Sequence, residues 1–142
     1  MLIRRLEKCT ECRAGDLTML RELLHPDRQQ AAVRYSLAHA ILAPGRSSLP
    51  HSLHGSEVYY ILSGRGLMVI DDERCTVESG SAVYIPPGAV QHMENTGIEP
   101  LAFLCIVDPA WQPADETVLG VKTDSQAEAT SDSFRDHAKK NV

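Results

Sequence analysis

The sequence predicts an all-β fold, a sandwich or barrel. From Val33 onward, short apolar segments recur at intervals of about ten residues. They are rich in Val, Ile and Tyr, the β-branched and aromatic residues that pack well on a pleated surface. Glycine, proline and paired aspartates punctuate them, as tight turns require.

The first strand is VRYSLAHAIL, ended by Pro44-Gly45. EVYYILSG follows and stops at Gly64. GLMVIDDE turns at Asp71-Asp72. RCTVESG and SAVYIPPG are short strands closed by Gly80 and by Pro86-Pro87-Gly88, and VQHMENTG and LAFLCIVD complete the run. Ahead of them, residues 1–15 are polar and mixed. LTMLRELL, residues 17–24, has two readings: a short helix capped by Asp16 and ended at His25-Pro26, or a strand by alternation. Behind Trp111 the chain turns polar, small and charged, and from Asp124 it buries too little apolar surface to offset its ordering entropy. The expected organisation is an N-terminal extension packing on the barrel (1–32), the β-barrel (33–112) and a polar, partly disordered tail (113–142).

A chain of 142 residues suits one domain. Its formal net charge of −5, with arginines scattered rather than massed, argues against binding nucleic acid or an anionic membrane. No stretch is apolar and long enough to span a bilayer, and the start, MLIRRLEKCTEC, lacks the apolar core of a secretory signal. A cytoplasmic location is expected, and with it free thiols rather than disulfides at the four cysteines.

Residues 45–66 concentrate the chemistry: His51, His54 and Glu57 crowd ahead of a strand, between Gly45 and Gly64. Further on, Gly80, Pro86, Gly88 and Asn95 follow at set spacings. Together they resemble the two motifs of the cupins. The first runs glycine, five residues, His-x-His, three or four residues, Glu, six residues, glycine. The second runs glycine, five residues, Pro-x-Gly, two residues, His, three residues, Asn. The resemblance covers about residues 33–110. It implies a jelly-roll barrel, the double-stranded β-helix.

The resemblance also implies a divalent metal inside the barrel, held by both histidines of the first motif, its glutamate and the histidine of the second. Two of those positions differ here. Leu53 stands at the second histidine and Gln91 at the third. Strand side chains alternate faces, so Glu57 shares its side with Tyr59 and Ile61, and Gln91 with Met93 and Asn95, while His92 turns outward. His54, in the loop, is free to fold inward. The implied ligands are therefore His51, Glu57 and the Gln91 amide oxygen, with water or His54 completing the shell. One nitrogen and two oxygens make a hard set suited to Mn or Fe(II), with Zn or Ni as further candidates. The other reading is a metal-free polar pocket in which Gln91 satisfies His51 and Glu57.

Glu57 and Tyr59 are the candidate catalytic pair, since Tyr59 offers the phenol near the carboxylate. Cys9 and Cys12 have zinc-knuckle spacing but no second pair, and read as surface thiols. Cys105 reads as a core residue, Cys75 carries no signal, and His39 reads as packed or interfacial. Two functions are expected. One is metal-assisted chemistry on a small oxygenated substrate, of the dioxygenase, decarboxylase or isomerase kind that the resemblance implies. The other is capture of a small ligand or sugar without metal. A homodimer is expected, with the N-terminal segment and Trp111 as candidate contacts, because open jelly rolls leave strand edges to cover.

Overall fold

The structure is a computed structural model that describes residues 1–120. Expectations about the tail beyond Asp124 lie outside the described residues.

Two antiparallel sheets face each other. The first contains β1 (Glu11–Arg13), β2 (Met19–Leu24), β3 (Ser36–Leu42), β5 (Ser56–Ser63), β8 (Ala82–Ile85) and β10 (Leu101–Asp108). Its order is β1-β2-β3-β10-β5-β8. The second contains β4 (His51–Leu53), β6 (Arg65–Ile70), β7 (Glu73–Glu78), β9 (Gln91–Asn95) and β11 (Glu116–Val118), in the order β11-β4-β9-β6-β7. Every apolar segment from Val33 to Asp108 became a strand. The expected turn at Asp71-Asp72 joins β6 to β7, with Asp71 at φ 50°.

Alternation decides which side chains meet. On β10, Leu101, Phe103, Cys105 and Val107 are buried in turn. Tyr59 and Ile61 on β5 meet them from the same sheet, and Met68 and Met93 complete the core from the opposite one. The Tyr59 and Phe103 rings lie 4.8 Å apart and tilted by 50°, a geometry in which edge and face attract. Fully burying a side chain of this size stabilises by about 1.5–3 kcal/mol, so this cluster is the main source of stability.

The ambiguous segment 17–24 is a strand. Its helix propensity yields to pairing: Met19, Leu20, Arg21 and Glu22 of β2 register with Ile41, Ala40, His39 and Ala38 of β3. Asp16 does not cap a helix. Its Oδ1 accepts from the Thr18 amide at 3.1 Å and the Thr18 hydroxyl at 2.7 Å, closing a turn that aims the chain into β2. Helix α1 (Pro26–Gln29) is a single turn. At its head, buried His25 donates from Nε2 to the Trp111 carbonyl and accepts from the Asp27 amide at Nδ1, which satisfies both ring nitrogens.

β1, β4 and β11 are three-residue strands too short for a periodicity signal. β11 falls beyond the expected barrel boundary at residue 112, yet it pairs with β4, Val118 opposite His51. No helix among the described residues is long and apolar enough to cross a membrane.

Gly64 turns the chain between β5 and β6 at φ +89°, where an added Cβ would sit 2.7 Å from the Pro100 carbonyl oxygen and 2.9 Å from the Leu101 Cα. Both obstacles are backbone and cannot swing aside. Gly64→Ala is therefore expected to combine left-handed strain of about 1–2 kcal/mol with a steric clash, and to lower the melting temperature by ten degrees or more. A melt within two or three degrees of wild type would show that the turn can yield.

Candidate functional site

β4 and β5 carry the first motif, and the chain's alternation turns His51, Leu53, Glu57 and Tyr59 to the interior, all of them buried. They line a cavity of about 270 Å³. Gln91 on β9 stands directly opposite His51 and is fully buried. As expected, Met93 and Asn95 share its side, and His92 faces outward beside Glu94. Asn95 holds the β9–β10 connection: its amide nitrogen donates to the Leu42 and Glu99 carbonyls, and its oxygen accepts from the Gly97 amide.

His51 donates from Nδ1 to the Leu49 carbonyl oxygen at 2.9 Å. That bond places a proton on Nδ1 and leaves Nε2 without a partner among the described residues. Asp16 stands behind the ring, Oδ2 3.8 Å from Nδ1. The Asp16 backbone carbonyl accepts from the Leu49 amide, which ties the β1–β2 turn to β4.

Glu57 accepts at Oε2 from the Gln91 side-chain amide at 2.6 Å. Its other oxygen has no partner among the described residues. Burial pushes its pKa up to about 8; the Gln91 hydrogen bond opposes this, and the charges of Asp16 and Glu116 add to it. Near neutral pH the carboxyl is mostly protonated. Burial, then the Glu57 charge, raises the Tyr59 phenol as well, so it stays neutral. Glu116 is also raised, first by burial, against the pull of His51 and of the Trp111 indole, which donates to Glu116 Oε2 at 3.1 Å.

Asp16, Trp111 and Glu116 line the cavity but were not among the expected site residues. Asp16 and Glu116 come from outside the two motifs. The Asp-x-Thr pattern at residues 16–18 signals a turn, but nothing local signals its contact with His51, 35 positions away. Trp111, expected as a packing or subunit contact, forms part of the cavity wall.

Other expectations need correction. His54 does not fold inward: its side chain is 76% exposed, with Nδ1 3.6 Å from Asp115. The backbone bond from the His54 amide to the Asp115 carbonyl holds the loop in that position. Cys9 is buried rather than superficial, donating to the Arg5 carbonyl, while Cys12 is exposed and reaches the cavity rim. Cys105 is a buried core thiol as expected. His39 sits on the outward face of β3 opposite Arg21, and burial, then that guanidinium, lowers its pKa.

The donor set does not fit the divalent metal that the motifs imply. Leu53 places hydrocarbon where a second imidazole would stand, and His54 points away. Gln91 turns its NH₂ to Glu57, and its Oε1 is buried without a partner. Among the described residues, no three of His, Cys, Asp and Glu stand close enough to hold one ion.

The two antiparallel sheets form a jelly roll with a cavity lined by apolar, aromatic and charged side chains. The family model described as "Cupin domain" matches residues 38–107. An uncharacterized protein of Methanocaldococcus jannaschii is 43% identical over 105 residues, covering 73% of this chain and 83% of the relative. The chain belongs to the cupin family. A glucose-6-phosphate isomerase of Thermococcus gammatolerans is 31% identical over 101 residues, 68% of this chain but 49% of the isomerase. This chain thus spans about half the length of that enzyme. Among solved structures, a Cupin 2 conserved barrel domain protein from Salinispora arenicola superposes with TM-score 0.67 at 24% identity, covering 80% of this chain and 91% of that one. A predicted oxalate decarboxylase from Thermotoga maritima gives the same TM-score and identity, over 76% of this chain and 99% of that one. At these identities the structural likeness concerns the fold.

Proposed function

We propose that this cupin binds a small molecule without a transition metal and can move a proton on it, as isomerases and epimerases do. The observation that supports this most is the pairing of opposite proton-transfer groups on one cavity. Glu57 is a buried carboxyl whose pKa is pushed up to about 8 and whose second oxygen is unpartnered, and His51 has an Nε2 without a partner on the same cavity. A group that gives a proton near neutral pH and a group that takes one are the minimum for shifting a proton across a ligand. Tyr59 supplies a neutral hydroxyl beside them and serves to orient the ligand. Relatives with sugar-phosphate names, the isomerase among them, are compatible with chemistry of this kind. Capture without turnover would use the same contacts.

Metal analysis tests the metal-free part. Protein purified without a histidine tag or added chelator is expected to carry Mn, Fe, Zn and Ni far below one equivalent. One equivalent of any of them, lost on Glu57→Gln, would overturn the reading.

We also propose that two copies pair. Tyr60, Leu62 and Tyr84 are exposed on the outward side of the six-stranded sheet, on neighbouring strands β5 and β8. A two-fold pairing of copies would cover this row on both at once. Light scattering at micromolar concentration is expected to give the dimer mass, and Tyr60→Glu combined with Tyr84→Glu the monomer mass. A monomer for the unmodified chain would refute the pairing.

A further inference from the structure

Strand β1 closes one end of the six-stranded sheet, and its outer edge is open. The ladder with β2 fixes what that edge offers. Glu11, Cys12 and Arg13 stand opposite Arg21, Leu20 and Met19, and the Ala14 amide donates to the Thr18 carbonyl at 2.8 Å in the same register. Antiparallel strands exchange hydrogen bonds at every second pair. Counting back from Ala14, Cys12 turns its N–H and C=O to β2, and Glu11 and Arg13 turn theirs outward. Those outward groups have no partner among the described residues. Side chains alternate faces. Cys12 shares a face with Leu20, which packs on the core, and it lines the cavity rim, while Glu11 and Arg13 share the opposite face. All three residues are exposed. Cys9 does not compete for the Cys12 thiol, because it is buried and bonded to the Arg5 carbonyl.

We propose that this edge docks on the same edge of a second copy, and that a disulfide between the two Cys12 residues locks the pair on oxidation. A two-fold axis through Cys12 sets Glu11 of each copy opposite Arg13 of the other. The outward N–H and C=O groups then meet as hydrogen-bonded pairs, and each pair joins a carboxylate to a guanidinium. Glu11 already holds Arg21 at 3.3 Å, while Arg13 has no acidic partner among the described residues and gains one. Cys12 faces its own symmetry mate in a non-hydrogen-bonded pair. Such pairs have Cα atoms about 4.5 Å apart, inside the roughly 4.4–6.8 Å that a disulfide spans. One register therefore brings the thiols, the opposite charges and the free backbone groups together. So short a ladder does not hold two copies by itself, and the covalent link does. The co-reactant is a small disulfide such as oxidised glutathione. The Cys12 thiolate attacks it, forms a mixed disulfide and releases one small thiolate. Cys12 of the second copy then attacks the Cys12 sulfur and expels the other. The two cysteines lose two electrons and two protons, and the small disulfide gains both as two thiols. β1 lies at the opposite end of the sheet from β5 and β8, so this contact is separate from the pairing through Tyr60 and Tyr84.

Full-length protein at micromolar concentration, incubated with oxidised glutathione, tests this by non-reducing electrophoresis and intact mass. A linked pair at twice the chain mass is expected. Cys12→Ser should abolish it, Cys75→Ser at the other exposed cysteine should leave it, and dithiothreitol should reverse it. Glutathione on Cys12 with no linked pair would overturn the proposal. Charge separates strand pairing from collision of exposed thiols. Glu11→Arg and Arg13→Glu each set like charges across the axis, and a mixture of the two variants restores opposite ones. In that mixture the heteropair is expected to form about tenfold faster than either homopair. Linked pairs in the statistical ratio would mean collision alone and would overturn the docking. The chain carrying Tyr60→Glu and Tyr84→Glu should link as readily as the unmodified chain. Loss of the link there would place the contact on the other end of the sheet and overturn one centred on β1.

Discussion

Glu57→Gln is expected to make the protein more stable than wild type above about pH 8 and to flatten its stability between weakly acid and alkaline pH. The sign follows from the shift. The Glu57 carboxyl has its ordinary pKa of 4.5 in the unfolded chain and about 8 in the fold. The fold therefore favours the protonated form. That contribution is complete below the unfolded value and is lost as pH rises through the folded one. Each pKa unit is worth about 1.4 kcal/mol, so the loss across this window is several kcal/mol, a large share of a typical domain's stability. The amide of the variant keeps the shape, needs no proton and can still bond Gln91. Glu116, also raised, leaves a smaller slope of the same sign in both proteins. Denaturant melts from pH 5 to pH 10 measure the difference; parallel profiles for the two proteins would mean that Glu57 ionises freely in the fold.

The second large effect is a gain. Leu53 follows His51 by two positions on β4, so both side chains face the cavity. Leu53→His would place a second imidazole beside the first, with Glu57 as a third donor. Zinc affinity is expected to rise by at least an order of magnitude, since one nitrogen ligand becomes two. Binding should expel the Glu57 proton, because only a carboxylate coordinates. Without zinc the same variant should melt below wild type, as a buried polar ring replaces hydrocarbon. Calorimetry in two buffers of different ionisation enthalpy reads both the affinity and the proton. Equal zinc affinity in wild type and variant would mean that residue 53 does not control this end of the cavity.

How much of this was legible in the sequence depended on the range of the interactions. β3, β5 and β10 announced themselves, because each is seven or eight residues of apolar or alternating chain between turn residues. The inward set Glu57, Tyr59, Gln91 and Met93 followed from the two-residue pleat alone. β2 was ambiguous because Leu and Met favour helix, and only its pairing with β3 decides. β4 and β11 are stabilised by each other and by β9, which no local window can register. The site was half visible for the same reason. Its motif residues stand on two adjacent regions of regular strand. Asp16 and Glu116 reach it from opposite ends of the chain. Their arrival changes the chemistry: the pocket gains two carboxyl groups that the motifs do not contain.

The central claim is that Glu57 carries its proton in a pocket not organised for metal. Carbon-detected NMR titration of the Glu57 side-chain carboxyl tests it directly, with and without one equivalent of Zn²⁺. The account predicts a midpoint of about 8 that zinc leaves in place. A midpoint in the ordinary carboxylate range, or one that drops when zinc is added, would contradict it.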